Sequence, residues 1–172
     1  MEKVKHKFIE YLESLRDLRD DRAALAALRR GLGQPPGTVA GMYPYVVPWL
    51  PGDVSRQREA AYYLIAALFA FHPAAGETGN MGHHFARTRT PQGDDTAIER
   101  RFTALLAAHS DDLDFYLRQA VSFLKSKEVP INWHQLLSDI LAWGHPDHYV
   151  QRQWANAFWG RAPQDTQTTK EE

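Results

Sequence analysis

Ser55-Arg56-Gln57-Arg58-Glu59-Ala60-Ala61-Tyr62-Tyr63-Leu64-Ile65-Ala66-Ala67-Leu68-Phe69-Ala70-Phe71-His72-Pro73 is the stretch whose reading decides the fold. Leu64, Ile65, Leu68 and Phe69 recur at helical spacing, and Asp53 or Ser55 stands where an N-cap belongs. Pro73 cannot continue a helix and ends this one after His72. From Ala60 to Phe71 no charged residue interrupts the run, so every face of the helix is apolar and wants cover. The run is well short of the roughly 20 residues that a bilayer span needs. It reads as a buried helix around which other helices must pack.

Those other helices are visible on both sides. Upstream, Val4, Phe8, Tyr11, Leu12, Leu15 and Leu18 mark one face of a first helix over roughly Lys3 to Leu18. A second follows Asp20-Asp21, carries Leu25 and Leu28, and is expected to stop at Gly31 as a C′ glycine. Gln34-Pro35-Pro36-Gly37 is a loop, and the segment from Met42 to Leu50, broken by Pro44 and Pro48, is one apolar helical turn or two.

Downstream, 74–94 has glycines and no apolar period, and it reads as a long loop. Thr96-Ala97-Ile98-Glu99 has the form of a capping box opening a helix with Ile98, Phe102, Leu105 and Leu106 inward. Another helix starts near Ser110-Asp111 and buries Leu113, Leu117, Val121 and Leu124. Asn132 caps one with Trp133, Leu136, Leu137, Ile140 and Leu141. The last begins near Asp147 and buries Val150, Trp154 and Phe158. Strand signals are nearly absent. The expected fold is all-α, a bundle of seven or eight helices. One domain spans 1–160, divisible into sub-bundles 1–73 and 95–160 on either side of loop 74–94, with 161–172 a disordered tail.

Composition narrows the chemistry. The 172 residues contain no cysteine, which excludes disulfides and thiolate metal sites and fits a reducing, cytoplasmic setting. The N-terminus lacks the apolar core of a secretion signal, and no membrane partner is expected. The net charge of −1 gives no general attraction to polyanions. Acidic residues cluster at expected helix starts, Asp20-Asp21, Asp94-Asp95 and Asp111-Asp112-Asp114, where carboxylates cap free N–H groups. Of the 20 basic residues 14 are arginine, whose planar fork of donors suits phosphate.

Catalytic patterns are missing. There is no phosphate loop, no nucleophile elbow and no His-Glu-x-x-His helix. His83-His84 and His145-x-x-His148 lack a third ligand at metal spacing, so no metal and no cofactor are expected. His84 is instead a candidate for reaching a phosphate or base from the loop. Asp139, inside an apolar pattern, reads as the ion-pair partner of an arginine. The tryptophans read as packing residues. From spacing alone the arginines are solvated or ion-paired surface residues; a shared groove would turn them into a stripe tracking a phosphodiester chain.

The order of segments resembles the CasB family, the small subunit of the type I-E CRISPR surveillance complex Cascade. The residues that carry the resemblance are Leu28-Arg29-Arg30-Gly31, Ala66-Ala67-Leu68-Phe69-Ala70-Phe71-His72, Gly79-Asn80-Met81-Gly82, and Glu99-Arg100-Arg101-Phe102 with Leu105-Leu106. It continues through Leu117-Arg118-Gln119, Trp133-x-x-Leu136-Leu137-x-Asp139 and Val150-x-x-x-Trp154-Ala155-x-x-Phe158-Trp159.

The resemblance implies a non-catalytic protein present as two copies in Cascade. Its partners would be the backbone and large subunits, a second copy of itself, single-stranded DNA and CRISPR RNA. It would stabilise the displaced strand of an R-loop, whose formation is nearly balanced in base-pair energy. Carried over by motif, Arg29, Arg30, Arg100, Arg101 and Arg118 would form a basic face. Arg87 and Arg152 would join it, with His84, Arg89 and Lys125 at its margin. Two rival readings stand beside this one: a purely structural adaptor whose arginines meet acidic protein surfaces, and an enzyme, such as a nuclease, built on the loop histidines. A helix-turn-helix regulator would need a recognition helix that the sequence does not offer.

Overall fold

In the computed structural model, residues 2–18 and 21–160 are described; the expected tail at 161–172 lies outside them. Seven helices of eight residues or more are found there: α1 (Glu2–Asp17), α2 (Arg22–Arg29), α4 (Arg56–Phe71), α6 (Thr96–Leu106), α7 (Leu113–Ser126), α8 (Trp133–Leu141) and α9 (Tyr149–Trp159). Two shorter ones are α3 (Tyr43–Val46), flanked by 3-10 turns, and α5 (Met81–Ala86). The all-α expectation holds, and among the described residues only an isolated bridge, Ala75 with Ile131, resembles sheet pairing.

The quoted stretch is the centre of the molecule. Ser55 caps α4 by accepting the Arg58 N–H, and nine of the helix's residues from Ala61 to Ala70 are buried. Helices α2, α3, α7 and α8 all pack on it. Its alanines let backbones approach, while Phe69 fills the middle against Trp133 with ring centroids 5.6 Å apart. Each fully buried side chain of that size is worth about 1.5–3 kcal/mol. α8 packs on both α1 and α4, and segments 1–73 and 95–160 contribute to one hydrophobic core.

The region 74–94 departs from its reading as a loop. It contains α5, whose Asn80 side chain accepts from Gly82 and His83 while His83 Nδ1 accepts the Asn80 N–H at 3.1 Å. That reciprocal capping box makes a helix of six residues hold. α5 then crosses α9 so closely that a Cβ on Gly82 would lie 2.0 Å from the Trp154 carbonyl oxygen. Met81, His84 and Phe85 are buried in the process. The pattern was too short for a periodic signal.

Other local readings shift for similar reasons. Thr96 does not cap α6; its N–H donates to Asp94, and Glu99 is drawn away to Arg89. Gly31 is not left-handed; a Cβ there would come within 2.4 Å of the Met42 sulfur, so the glycine lets that side chain pack against the turn. Among the described residues Asp139 has no arginine partner. It accepts from Trp154 Nε1 at 2.7 Å and from Gln135 at 2.8 Å, and burial raises its pKa against those two bonds. It anchors α9 to α8.

Candidate nucleic-acid interface

The end of α4 organises the basic residues. A helix leaves its last carbonyls without intrahelical donors and carries a partial negative charge there. Arg29 Nε donates to the Ala70 carbonyl at 3.2 Å, and Lys125 Nζ donates to the Phe71 carbonyl at 2.7 Å while lying 4.1 Å from the Phe71 ring centroid. Arg16 donates to the Pro73 carbonyl and also pairs with Asp17. Three helices thus deliver a cation to one helix end. Arg29 and Lys125 remain exposed, whereas Arg16 is half-buried and shares its charge with a carboxylate.

His72 sits within this knot. It is buried, and its Nε2 donates to the Val129 carbonyl at 2.8 Å; a carbonyl only accepts, so Nε2 carries the proton. Burial lowers its pKa, the Val129 bond opposes that, and the nearby Lys125 ammonium adds to the lowering. The ring is a neutral tie that holds the end of α4 to the α7–α8 connection.

Arg118 lies two turns before Lys125 on α7, so the two share a helix face. Arg118 is half-buried against the turn after α2: Gly33 is left-handed (φ 71°), and a Cβ there would lie 2.3 Å from Arg118 Nη1. It lines a cleft of about 130 Å³ together with Gly31, Leu64, Leu68, Asp114 and Phe115. Further along α7, the Arg101 guanidinium lies 4.8 Å from the Phe123 ring centroid and the Lys127 ammonium 5.9 Å from it. The end of α4 therefore brings together Arg29 and Lys125, with Arg118 on the Lys125 face of α7, a seam along α4 and α7. Phe123 is two residues from Lys125 and so points to the other side of α7, which places Arg101 off that seam.

The remaining candidates fall elsewhere. Arg30 is exposed at the C-cap of α2, Arg100 is exposed on α6, and Arg87 is exposed just after α5. Arg152 is exposed on α9, which packs chiefly on α5 and α6 rather than on the seam. Two candidates are corrected. Arg89 donates to the Phe158 carbonyl at 2.8 Å and to Glu99 at 3.2 Å, has Asp95 at 3.6 Å, and its guanidinium lies 3.8 Å from the Phe158 ring centroid. Nη1 and Nη2 each spend a donor inside the protein, and the side chain staples the segment before α6 to α9. His84 is buried, not presented from a loop. Its Nε2 accepts the Asn132 N–H at 3.1 Å, and burial, with Arg87 and His83 adding, lowers its pKa to about 4. It carries no charge for a phosphate.

Sequence reasoning missed Arg16 and Lys127. Both stand in or just after the last turn of a helix, where a cation suits the dipole, and that signal was available. Among the described residues no three His, Asp or Glu side chains gather as metal ligands would, and no helix is long and apolar enough to cross a membrane. A second, broader groove of about 900 Å³ is lined by Leu64, Leu113, Ile140 and Leu141, with Arg56 and Asp111 among its polar walls.

The described residues form an all-helical fold in which the end of α4 gathers Arg16, Arg29 and Lys125. Residues 24–159 match the family model described as CRISPR-associated protein Cse2. The chain belongs to the Cse2 family, whose solved members are also called CasB. A CRISPR-associated protein Cse2 from Thermus thermophilus is 36% identical over 167 residues, covering 96% of this chain and 95% of its own length. A crystal structure of CasB from Thermus thermophilus superposes with a TM-score of 0.80 at 34% identity, covering 91% of this chain and 98% of that one. A chain from a CRISPR RNA-guided surveillance complex superposes with a TM-score of 0.77 at 26% identity, covering 91% and 92%.

Proposed function

We propose that this chain is a non-catalytic subunit of a type I-E CRISPR RNA-guided surveillance complex. In that role it would hold the sugar-phosphate backbone of the displaced DNA strand, and of guide RNA where it passes, along the α4–α7 seam. The observation that carries the reading is the gathering of Arg29 and Lys125 at the end of α4, with Arg118 on the Lys125 face of α7, in a Cse2-family chain. Each cation is positioned by a carbonyl, a glycine turn or a ring, so little side-chain entropy is lost when a phosphate arrives. Backbone contacts carry no sequence information, which suits a strand whose sequence changes with every guide. A near-neutral chain binds free DNA weakly and gains strength by avidity beside the backbone and large subunits and a second copy of itself.

The test is single-stranded DNA binding by the purified protein across a salt series, for wild type, Arg29→Ala/Lys125→Ala and Arg100→Ala/Arg101→Ala. On single strands each phosphate contact contributes about −0.7 to the slope of log K against log salt. Wild type should weaken with salt, and each double variant should have a shallower slope by about one contact or more. No binding at low salt, or unchanged slopes in both variants, would reject direct strand contact. The broad groove with its apolar lining would then carry the second reading, an adaptor that acts only through protein partners.

A further inference from the structure

The cleft that Arg118 lines differs in composition from the rest of the seam. Its volume is about 130 Å³, close to the roughly 150 Å³ of an apolar cavity that admits a benzene ring. One six-membered ring fits. Leu64 and Leu68 of α4 give it apolar wall, and the turn from Gly33 to Pro36 closes another side. α7 supplies Asp114, Phe115 and Arg118, which lie within about one helical turn of each other.

Phe115 is the anomaly. Leu113, Leu117, Ala120, Val121 and Leu124 on the same helix are all buried, while Phe115 keeps 52% of its surface exposed. An aromatic ring left in water at the mouth of a ring-sized cleft gains burial as soon as a second ring covers it. The polar groups at the cleft match the edge of a base. The Arg118 guanidinium donates only, as a base carbonyl requires, and the Asp114 carboxylate accepts only, as an amino or imino N–H requires.

We propose that this cleft takes one unpaired, pyrimidine-sized base from a bound single strand, stacked on Phe115 with its polar edge toward Arg118 and Asp114. This inference rests on the strand contact proposed above. The positions are continuous: Arg29 stands two residues before the Gly31 lip, and Lys125 follows Arg118 by two turns of α7, so a strand crossing the seam passes the cleft. A base held there is withheld from re-pairing. Duplex DNA, whose bases are inside the stack, has nothing to offer the cleft, so the site adds single-strand selectivity that phosphate contacts alone lack.

The experiment compares oligothymidylate with an abasic oligomer of equal length and charge, each dye-labelled, by fluorescence anisotropy with the full chain. Wild type should prefer the base-bearing strand by about tenfold, in the range for one stacked base. Phe115→Ala should abolish that preference with its salt slope unchanged, and Phe115→Tyr should restore it. Equal binding of both strands by wild type, or a preference that survives Phe115→Ala, overturns the cleft while leaving the backbone contact intact. Absence of binding to either strand at low salt removes the backbone contact and the cleft with it. Because Phe115 is exposed, a change in the helical circular dichroism of Phe115→Ala would itself count against the site, by assigning the ring a packing role.

Discussion

Arg89 and the pair Arg29 and Lys125 are alike as sequence, basic residues flanking helices, and opposite as structure. Arg89 meets a backbone carbonyl, two carboxylates and the Phe158 ring. Arg29 and Lys125 donate to carbonyls at the end of α4 and stay exposed. The wider regions differ in the same way. Asn80 and Arg89 spend polar groups on carbonyls of α9, whereas Arg29 and Lys125 are fixed at the end of α4 and left outward. A basic residue binds a foreign phosphate only where its own protein has not already consumed its donors.

The sharpest way to break that contrast is at the tightest point of the inward region. Gly82→Ala places a methyl 2.0 Å from the Trp154 carbonyl oxygen, backbone that cannot yield as a side chain would. It should cost about 3 kcal/mol or more, read from the urea midpoint. A loss below about 1 kcal/mol would mean that α5 is not locked against α9.

Acid should attack the same region next. His84 titrates at about 4 in the folded chain against about 6.5 unfolded. The unfolded state therefore binds the extra proton between those values, so stability is complete above pH 6.5 and falls as the pH drops toward 4. His72, also lowered, acts with the same sign. His84 alone corresponds to about 3 kcal/mol over that window. Denaturation midpoints measured from pH 7 to pH 4 should fall, and His84→Gln should flatten the decline. An unchanged pH profile in that variant would place the sensitivity elsewhere.

The smallest effects test the comparison directly. Arg89→Ala should lose about 2 kcal/mol of stability, since it strands a carbonyl and leaves two carboxylates unpartnered, and should leave the salt slope of DNA binding unchanged. Arg29→Ala should change stability by less than about 0.5 kcal/mol and should flatten the slope. If the two variants exchanged behaviours, the division into structural and binding arginines would be wrong.

What the sequence determined by itself is whatever local physics decides. The 60–71 run announced a buried central helix because no polar face was left on it. Ser55 and Asn132 were legible as caps because a cap is made within four residues, and both accept the expected N–H groups. The all-α class followed from the same periodicity. The family resemblance named Arg29, which the structure places at the end of α4, Arg118, which it places on the Lys125 face of α7, and Arg101, which it places over Phe123. Tertiary structure alone decided which cations share a surface, that Arg89 and His84 turn inward, that Asp139 serves Trp154, and that Phe115 stands at a cleft. Each of those depends on a partner tens of residues away, as with the 69 residues between Arg89 and Phe158. Spacing along a chain carries information about neighbours on one helix; which helix end a side chain will meet is set only when the cores are packed together.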